Sequence, residues 1–177
     1  MNTKELLRSV QSDVIVHQTF GGVLPRDKLP RKILEDYPVS FIVNTDTSRG
    51  PGRHWVAFYL ESPHYGEFFD SYGYPPEYLA KKFETFLTRN VENWDHNSKK
   101  LQGDLSTVCG QFCLFFLHHR CRGYNMRRII RMFHRNPEIN DAMVNRFVND
   151  AYDANFETID LEYLTDQISR PFIESLK

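Results

Sequence analysis

Leu101-Gln102-Gly103-Asp104-Leu105-Ser106-Thr107-Val108-Cys109-Gly110-Gln111-Phe112, continued by Cys113-Leu114-Phe115-Phe116-Leu117, is the stretch on which the reading of this chain turns. A polar loop carrying Gln102 runs directly into a cysteine, and that cysteine opens a run too apolar all round for a surface helix. The pattern predicts a central, buried helix over 108–120. At such a helix start the first-turn N–H groups and the helix dipole favour an anion, so a Cys109 thiolate is stabilised relative to the thiol. A neighbouring imidazolium would lower its pKa further, below the roughly 8.5 of free cysteine. Gly110 leaves room for a substrate backbone to approach. A lone cysteine is more often a small buried hydrophobe, and Cys113 and Cys121, further along the same helix, take that bland reading.

Upstream of this helix the chain alternates short strands with turns. Val39–Val43 reads as a strand ended by Asn44-Thr45-Asp46, and the loop 47–53, with Gly50-Pro51-Gly52, leads to a second strand over 54–60. A third, Glu67-Phe68-Phe69-Asp70, follows the turn at Ser62-Pro63 and is stopped by Tyr72-Gly73-Tyr74-Pro75-Pro76. Residues 3–10 and 26–36 have short helical patterns on either side of a turn at Phe20-Gly21-Gly22. Helices are also expected over 77–91, 125–135, 139–151 and 157–169, with 92–107 as loop. The expected fold is one α+β domain spanning 1–177, with a small, mainly antiparallel central sheet packed by helices.

The nucleophile needs a base, and the base an orienting group. His54 opens the second strand and Asp70 closes the third, so a hairpin of the two places these residues side by side. Trp55 is positioned to shield the ring and to wall a substrate cleft. Gln102 has an amide that, together with the Cys109 backbone N–H, would make an oxyanion hole worth about 2.7–4 kcal/mol per donor. Each residue alone has a plainer reading, as a strand-end polar group or a solvated loop glutamine; their common topology is what joins them.

Composition sets the frame. Hydrophobic residues are 41% and aromatic residues 14% of the 177, enough for a real core and against a disordered chain. No apolar run reaches the ~20 residues of a membrane span, and Met1-Asn2-Thr3-Lys4-Glu5 lacks a secretory layout, so a soluble intracellular protein is expected. Three cysteines confined to 109–121 make a poor disulfide framework. They also lack the paired knuckles of a zinc site, so no metal and no other cofactor is called for.

Net charge is −1, but its distribution is uneven. Arg120, Arg122, Arg127, Arg128, Arg131 and Arg135, with three histidines and no acid, fill 118–135, whereas 138–177 holds nine acids against three bases. The stripe reads as a phosphate-binding surface, as a face paired with the acidic C-terminal third, or simply as a solvated helix face.

His54-Trp55, Asp70-Ser71-Tyr72-Gly73-Tyr74, Gln102-Gly103 and Cys109-Gly110-Gln111-Phe112-Cys113, in that order, resemble the adenovirus maturation protease family, whose relatives include virophage and Polinton/Maverick-type enzymes. Acid-x-aromatic-Gly-aromatic, and a glutamine seven residues before the nucleophile, are the most specific features. The resemblance implies a papain-like, adenain-like fold with His54 as base, Asp70 as orienting acid, Gln102 as oxyanion donor and Cys109 as nucleophile. It implies cleavage of capsid and core precursors after Gly-Gly or Gly-x-Gly, by a monomer acting in the virion or at the site of assembly. It also implies stimulation by DNA and by a disulfide-linked peptide, but 92–107 contains no cysteine to which a peptide could attach. Two rivals stand beside it. A protease for SUMO-like or ubiquitin-like modifiers would share the motif order but usually has Asp where this chain has Val108. A non-catalytic DNA-binding protein would use the arginine stripe alone.

Overall fold

The computed structural model describes residues 1–34 and 36–152. Its centre is a five-stranded sheet whose spatial order follows the chain: β1 (Phe20–Pro25), β2 (Val39–Asn44), β3 (Trp55–Ser62), β4 (Tyr65–Phe69) and β5 (Asn93–His96). The β2–β3 and β3–β4 pairs are antiparallel, and β1 and β5 join the two edges in parallel. The helices are α1 (Thr3–Ser12), α2 (Val14–His17), α3 (Pro76–Leu79), α4 (Lys81–Asn90), α5 (Cys109–Cys121), α6 (Met126–Ile130) and α7 (Pro137–Tyr152). The fold is α+β, and no helix among the described residues is long and apolar enough to cross a membrane.

The strand alternation explains the layering. In β3, Trp55, Ala57 and Tyr59 join the core formed with α1, α5 and α7, while Val56, Phe58 and Leu60 join a second core beneath α4. Both faces are covered, which is why this strand reads as a continuous apolar run rather than an alternating one. On the first face Phe116 of α5 stacks on Phe69 of β4 with ring centroids 4.7 Å apart. Phe112, Phe116 and Leu117 have no exposed surface. Burial of each stabilises the packing by roughly 1.5–3 kcal/mol, and this clamps α5, with Cys109 at its first position, over the ends of β3 and β4.

Several elements depart from expectation. Phe20-Gly21-Gly22 is not a turn but the start of β1, where the register with β2 shifts between Phe20 and Gly22. The glycines belong to that bulge: Gly22 has φ +139°, and a Cβ on Gly21 would stand 2.3 Å from the Phe41 ring. The helix expected over 26–36 is only a 3₁₀ turn, Arg26–Lys28, because Pro30 cannot continue it. The apolar pattern is still used, since Leu29 and Ile33 reach the core under α4.

The helix expected over 77–91 is broken at Ala80, whose backbone is extended, into α3 and α4. The loop expected over 92–107 contains β5, a four-residue edge strand of polar composition that carries no strand signal. Helix α6 stops at Ile130 rather than running to 135. The helix expected over 157–169 lies outside the described residues.

Candidate active site

The β3–β4 register, Ala57 opposite Phe69, brings the start of one strand beside the end of the other. His54 and Asp70 occupy those two ends, and His54 Nε2 lies 2.5 Å from Asp70 Oδ1. Asp70 has no exposed surface. Its second carboxylate oxygen accepts from the Tyr74 backbone N–H at 2.8 Å. Its own peptide is bracketed by Asn97, which accepts from the Asp70 N–H at 2.9 Å and donates to the Asp70 carbonyl at 2.7 Å. Gly73 closes this turn with φ +77°; a Cβ there would meet the Ser98 and Lys99 backbone within 3 Å, so only glycine fits.

With Nε2 committed to the acid, the opposite ring nitrogen is left for Cys109, which is 9% exposed. The α5 N-terminus has no side-chain cap, so its free N–H groups are available to an anion. Burial works against a charged thiolate, but the hydrogen bond and charge of His54, with the Trp55 and Gly110 backbone N–H groups, outweigh it and lower the Cys109 pKa below its ordinary value. Burial likewise opposes the His54 imidazolium, yet bonds and charges from Asp70 and Cys109 raise it to about 9. The two residues thus favour a thiolate–imidazolium pair. Cys113, fully buried four residues on, is pushed well above the ordinary thiol range by desolvation and is chemically inert.

Gln102 is 1% exposed and lines the same cleft. Its Oε1 accepts from Ser71 Oγ at 2.6 Å, and its Nε2 donates to the Ser106 carbonyl at 3.0 Å, which leaves a second N–H free. The cleft, about 620 Å³, is also lined by His54, Cys109, Trp55, Tyr72, Met1 and the Gly50-Pro51-Gly52 loop. Trp55 is fixed as one wall by donating its indole N–H to the Met1 carbonyl at 3.0 Å. Gly110 does not leave room for substrate. The space above it is taken by Met1, Leu6 and Trp55, whose atoms a Cβ would meet at 3.2–3.5 Å, so its role is packing of α1 on α5.

The arginine stripe divides. Arg120 is buried, pairs with Glu67 at 2.6 Å and Glu61 at 2.9 Å, and lies over the Tyr59 ring. Arg122 holds Asp13 through both oxygens, at 2.9 and 3.0 Å. Neither is free for phosphates: among the described residues their partners come from α2's cap and the sheet. Arg127, Arg128, Arg131 and Arg135 are exposed, with Arg128 lying over Tyr124. Among the described residues no cluster of His, Cys, Asp or Glu is placed to hold a metal.

Ser71, Asn97 and Tyr72 also contact the candidate residues, beyond the four that the sequence picks out. Tyr72, whose ring lies 5.2 Å from that of His54, had a signal in its place two residues after the acid. Ser71 and Asn97 are linked to their partners only across 27 or more positions and show no local pattern.

An imidazole, a helix-start thiol and an anchored amide lining one cleft, with a buried acid bonded to the imidazole, define a site of the thiol-hydrolase class. A family model, the adenovirus endoprotease, matches residues 20–146. The chain belongs to this family. It is 28% identical to the protease of Bovine adenovirus 2 over 126 residues, 65% of this chain and 61% of that protein. It is 27% identical to the protease of Human adenovirus B serotype 3 over 130 residues, 66% of this chain and again 61% of that protein. The chain thus spans about three fifths of the length of these relatives. The crystal structure of the ASFV pS273R protease shares the fold, with a TM-score of 0.50 at 18% identity over 81% of this chain and 66% of that one.

The pKa directions make the thiol testable by itself. Iodoacetamide should alkylate Cys109 at pH 6–7, where an ordinary thiol is almost fully protonated. The rate should fall as pH drops through the lowered thiol pKa. Above about 9 the imidazolium is lost, and the rate should change again along an alkaline limb as the thiolate loses its paired charge. His54→Ala removes the lowering contacts and leaves burial, so its rate at pH 6–7 should drop roughly tenfold or more. An unchanged rate in that variant would separate the two residues.

Proposed function

We propose that this chain is a cysteine endopeptidase that cleaves viral structural precursor proteins during virion maturation, after Gly-Gly or Gly-x-Gly, within the virion or the infected cell. The observation that carries it is that Cys109, His54 and Gln102 line a single cleft, with Asp70 buried behind His54 and bonded to it. Cys109 sulfur attacks the scissile carbonyl carbon. The oxyanion that forms is met by the Gln102 amide and the α5 backbone N–H. The His54 imidazolium then passes its proton to the leaving amine. Water, deprotonated by His54, next hydrolyses the thioester and restores the thiolate. Glycine at the scissile bond suits a cleft walled by Trp55 and Tyr72. Membership of the adenovirus endoprotease family favours the viral reading over the modifier-specific one. Incubation with capsid and core precursors, followed by mass-spectrometric mapping of new termini, tests it. New termini must follow glycine in the wild type and be missing with Cys109→Ala. Stoichiometric labelling of Cys109 by a SUMO or ubiquitin vinyl-sulfone would instead favour the modifier protease.

DNA is the proposed stimulating partner, through Arg127, Arg128, Arg131 and Arg135 alone. Replacing these four by glutamine should weaken duplex binding and flatten its salt dependence. Arg120→Ala should instead cost about 3–5 kcal/mol of stability, because Glu67 is left buried and unpaired. Duplex affinity that falls with Arg120→Ala, in protein shown to be folded, and not with the quadruple variant would overturn this assignment.

A further inference from the structure

We propose that Ser71 is the positioning residue that aims the Gln102 amide, so that one dipeptide, Asp70-Ser71, sets both the acid and the oxyanion donor; the inference rests on the endopeptidase reading above. An amide is two-faced. Turned half a revolution about its last torsion, it presents oxygen where it had presented nitrogen. Toward a developing oxyanion the nitrogen attracts and the oxygen repels, so something must choose between the two orientations.

Two groups hold the Gln102 amide. The Ser106 carbonyl can only accept, and it takes one N–H of Nε2 at 3.0 Å. The Ser71 hydroxyl, 2.6 Å from Oε1, is therefore the donor. Ser106 belongs to a turn whose neighbours Asp104, Leu105 and Thr107 are exposed. Ser71 is 1% exposed, so it is the rigid one of the two.

The Gln102 backbone is anchored separately. The Ser71 carbonyl accepts from the Leu101 and Gln102 N–H groups at 2.8 and 3.1 Å. Asn140 of α7 donates to the Leu101 carbonyl at 2.9 Å, and Asp141 accepts from the Gly103 N–H at 3.1 Å. Removing the Ser71 hydroxyl thus frees the amide without releasing the loop. On the other side Asn97 grips the Asp70 peptide, so the dipeptide has little freedom to move.

The test uses the full chain and a peptide-Gly-Gly-aminomethylcoumarin substrate, with iodoacetamide alkylation of Cys109 as a second readout. Gln102→Ala should lower kcat by about 10²–10³-fold, as loss of one oxyanion donor does. Ser71→Ala should lower kcat by roughly ten- to a hundredfold, as partial loss of the same donor, with little change in KM. Its Cys109 should alkylate at the wild-type rate, because alkylation requires the thiolate and no oxyanion. The double variant should be no worse than Gln102→Ala, since an amide that is gone cannot be misaimed. Ser71→Cys, which keeps the side-chain shape with a slightly larger, weakly donating atom, must show the same kcat effect if Ser71→Ala does not fold. Undiminished kcat, an effect on KM alone, or a full additional loss on top of Gln102→Ala would overturn the inference. A wild type that cleaves nothing and has an ordinary thiol would instead overturn the endopeptidase reading.

Discussion

Cys109→Ala should give a folded protein whose peptide-bond cleavage has fallen by about 10⁵–10⁶-fold, the loss expected when the nucleophile of a coupled constellation is removed. The two halves of that expectation have separate causes. Catalysis fails because no neighbouring group replaces the thiolate: Cys113 is buried in the same core with its thiol held protonated, and Cys121 lies at the far end of α5. The fold survives because Cys109 sits at the first position of α5, where alanine is helix-compatible, while the packing that clamps the helix comes from Phe112, Phe116 and Leu117. Losing one sulfur at the margin of the core should cost about 1 kcal/mol, or roughly 2–4 °C in Tm for a chain of this size. Thermal melts and turnover on one preparation check both halves. Residual cleavage above about a hundredth of wild type, with the melt intact, would remove Cys109 from its role.

The grouping of the candidate residues was legible because each of them is tied to a local signal. Cys109 stands where a polar loop meets a run too apolar for any surface helix. His54 and Asp70 end two strands whose apolar runs are unmistakable, and a hairpin leaves them nowhere to go but side by side. What supports them was not legible. Ser71, Asn97 and Asn140 are small polar residues in loops or on a helix face, and each gains meaning from a partner 27 to 39 positions away. Gly110 sits next to the nucleophile and reads naturally as space for substrate; only the packed α1 shows that the chain itself fills that space. The arginines differ from their sequence pattern for a related reason. Charge in one dimension looked like a stripe, but α5 carries Arg120 inward to Glu67 and turns Arg122 toward Asp13, which leaves the exposed cations to the segment beyond Gly123. Edge strand β5 has no local signal because three polar residues and one tryptophan become a strand only when a neighbouring strand offers its edge.

Asp70→Asn carries the second-largest expected effect: turnover lower by about 10²–10⁴-fold, by analogy with removal of the orienting acid in a serine-protease triad, with KM little changed. The substitution preserves shape, so its cost is electrical and directional. The native carboxylate only accepts, taking the His54 ring N–H on one oxygen and the Tyr74 backbone N–H on the other. An asparagine has one accepting atom for these two donors. If its oxygen faces His54, its N–H₂ confronts the Tyr74 N–H. If it turns to satisfy Tyr74, its N–H₂ faces His54 Nε2 and selects the neutral tautomer with the proton on Nδ1, where it cannot act as base toward Cys109. Either way the imidazolium loses the negative charge, and in the second orientation the bond as well, that raise its pKa to about 9 against the pull of burial. The alkaline limb of the thiol-alkylation profile should therefore move down in pH along with the loss of turnover. Because the Asn97 brackets hold the residue 70 peptide whatever its side chain, the loop should stay in place. A variant that loses turnover while its alkaline limb stays near 9 would show that Asp70 orients the ring without charging it.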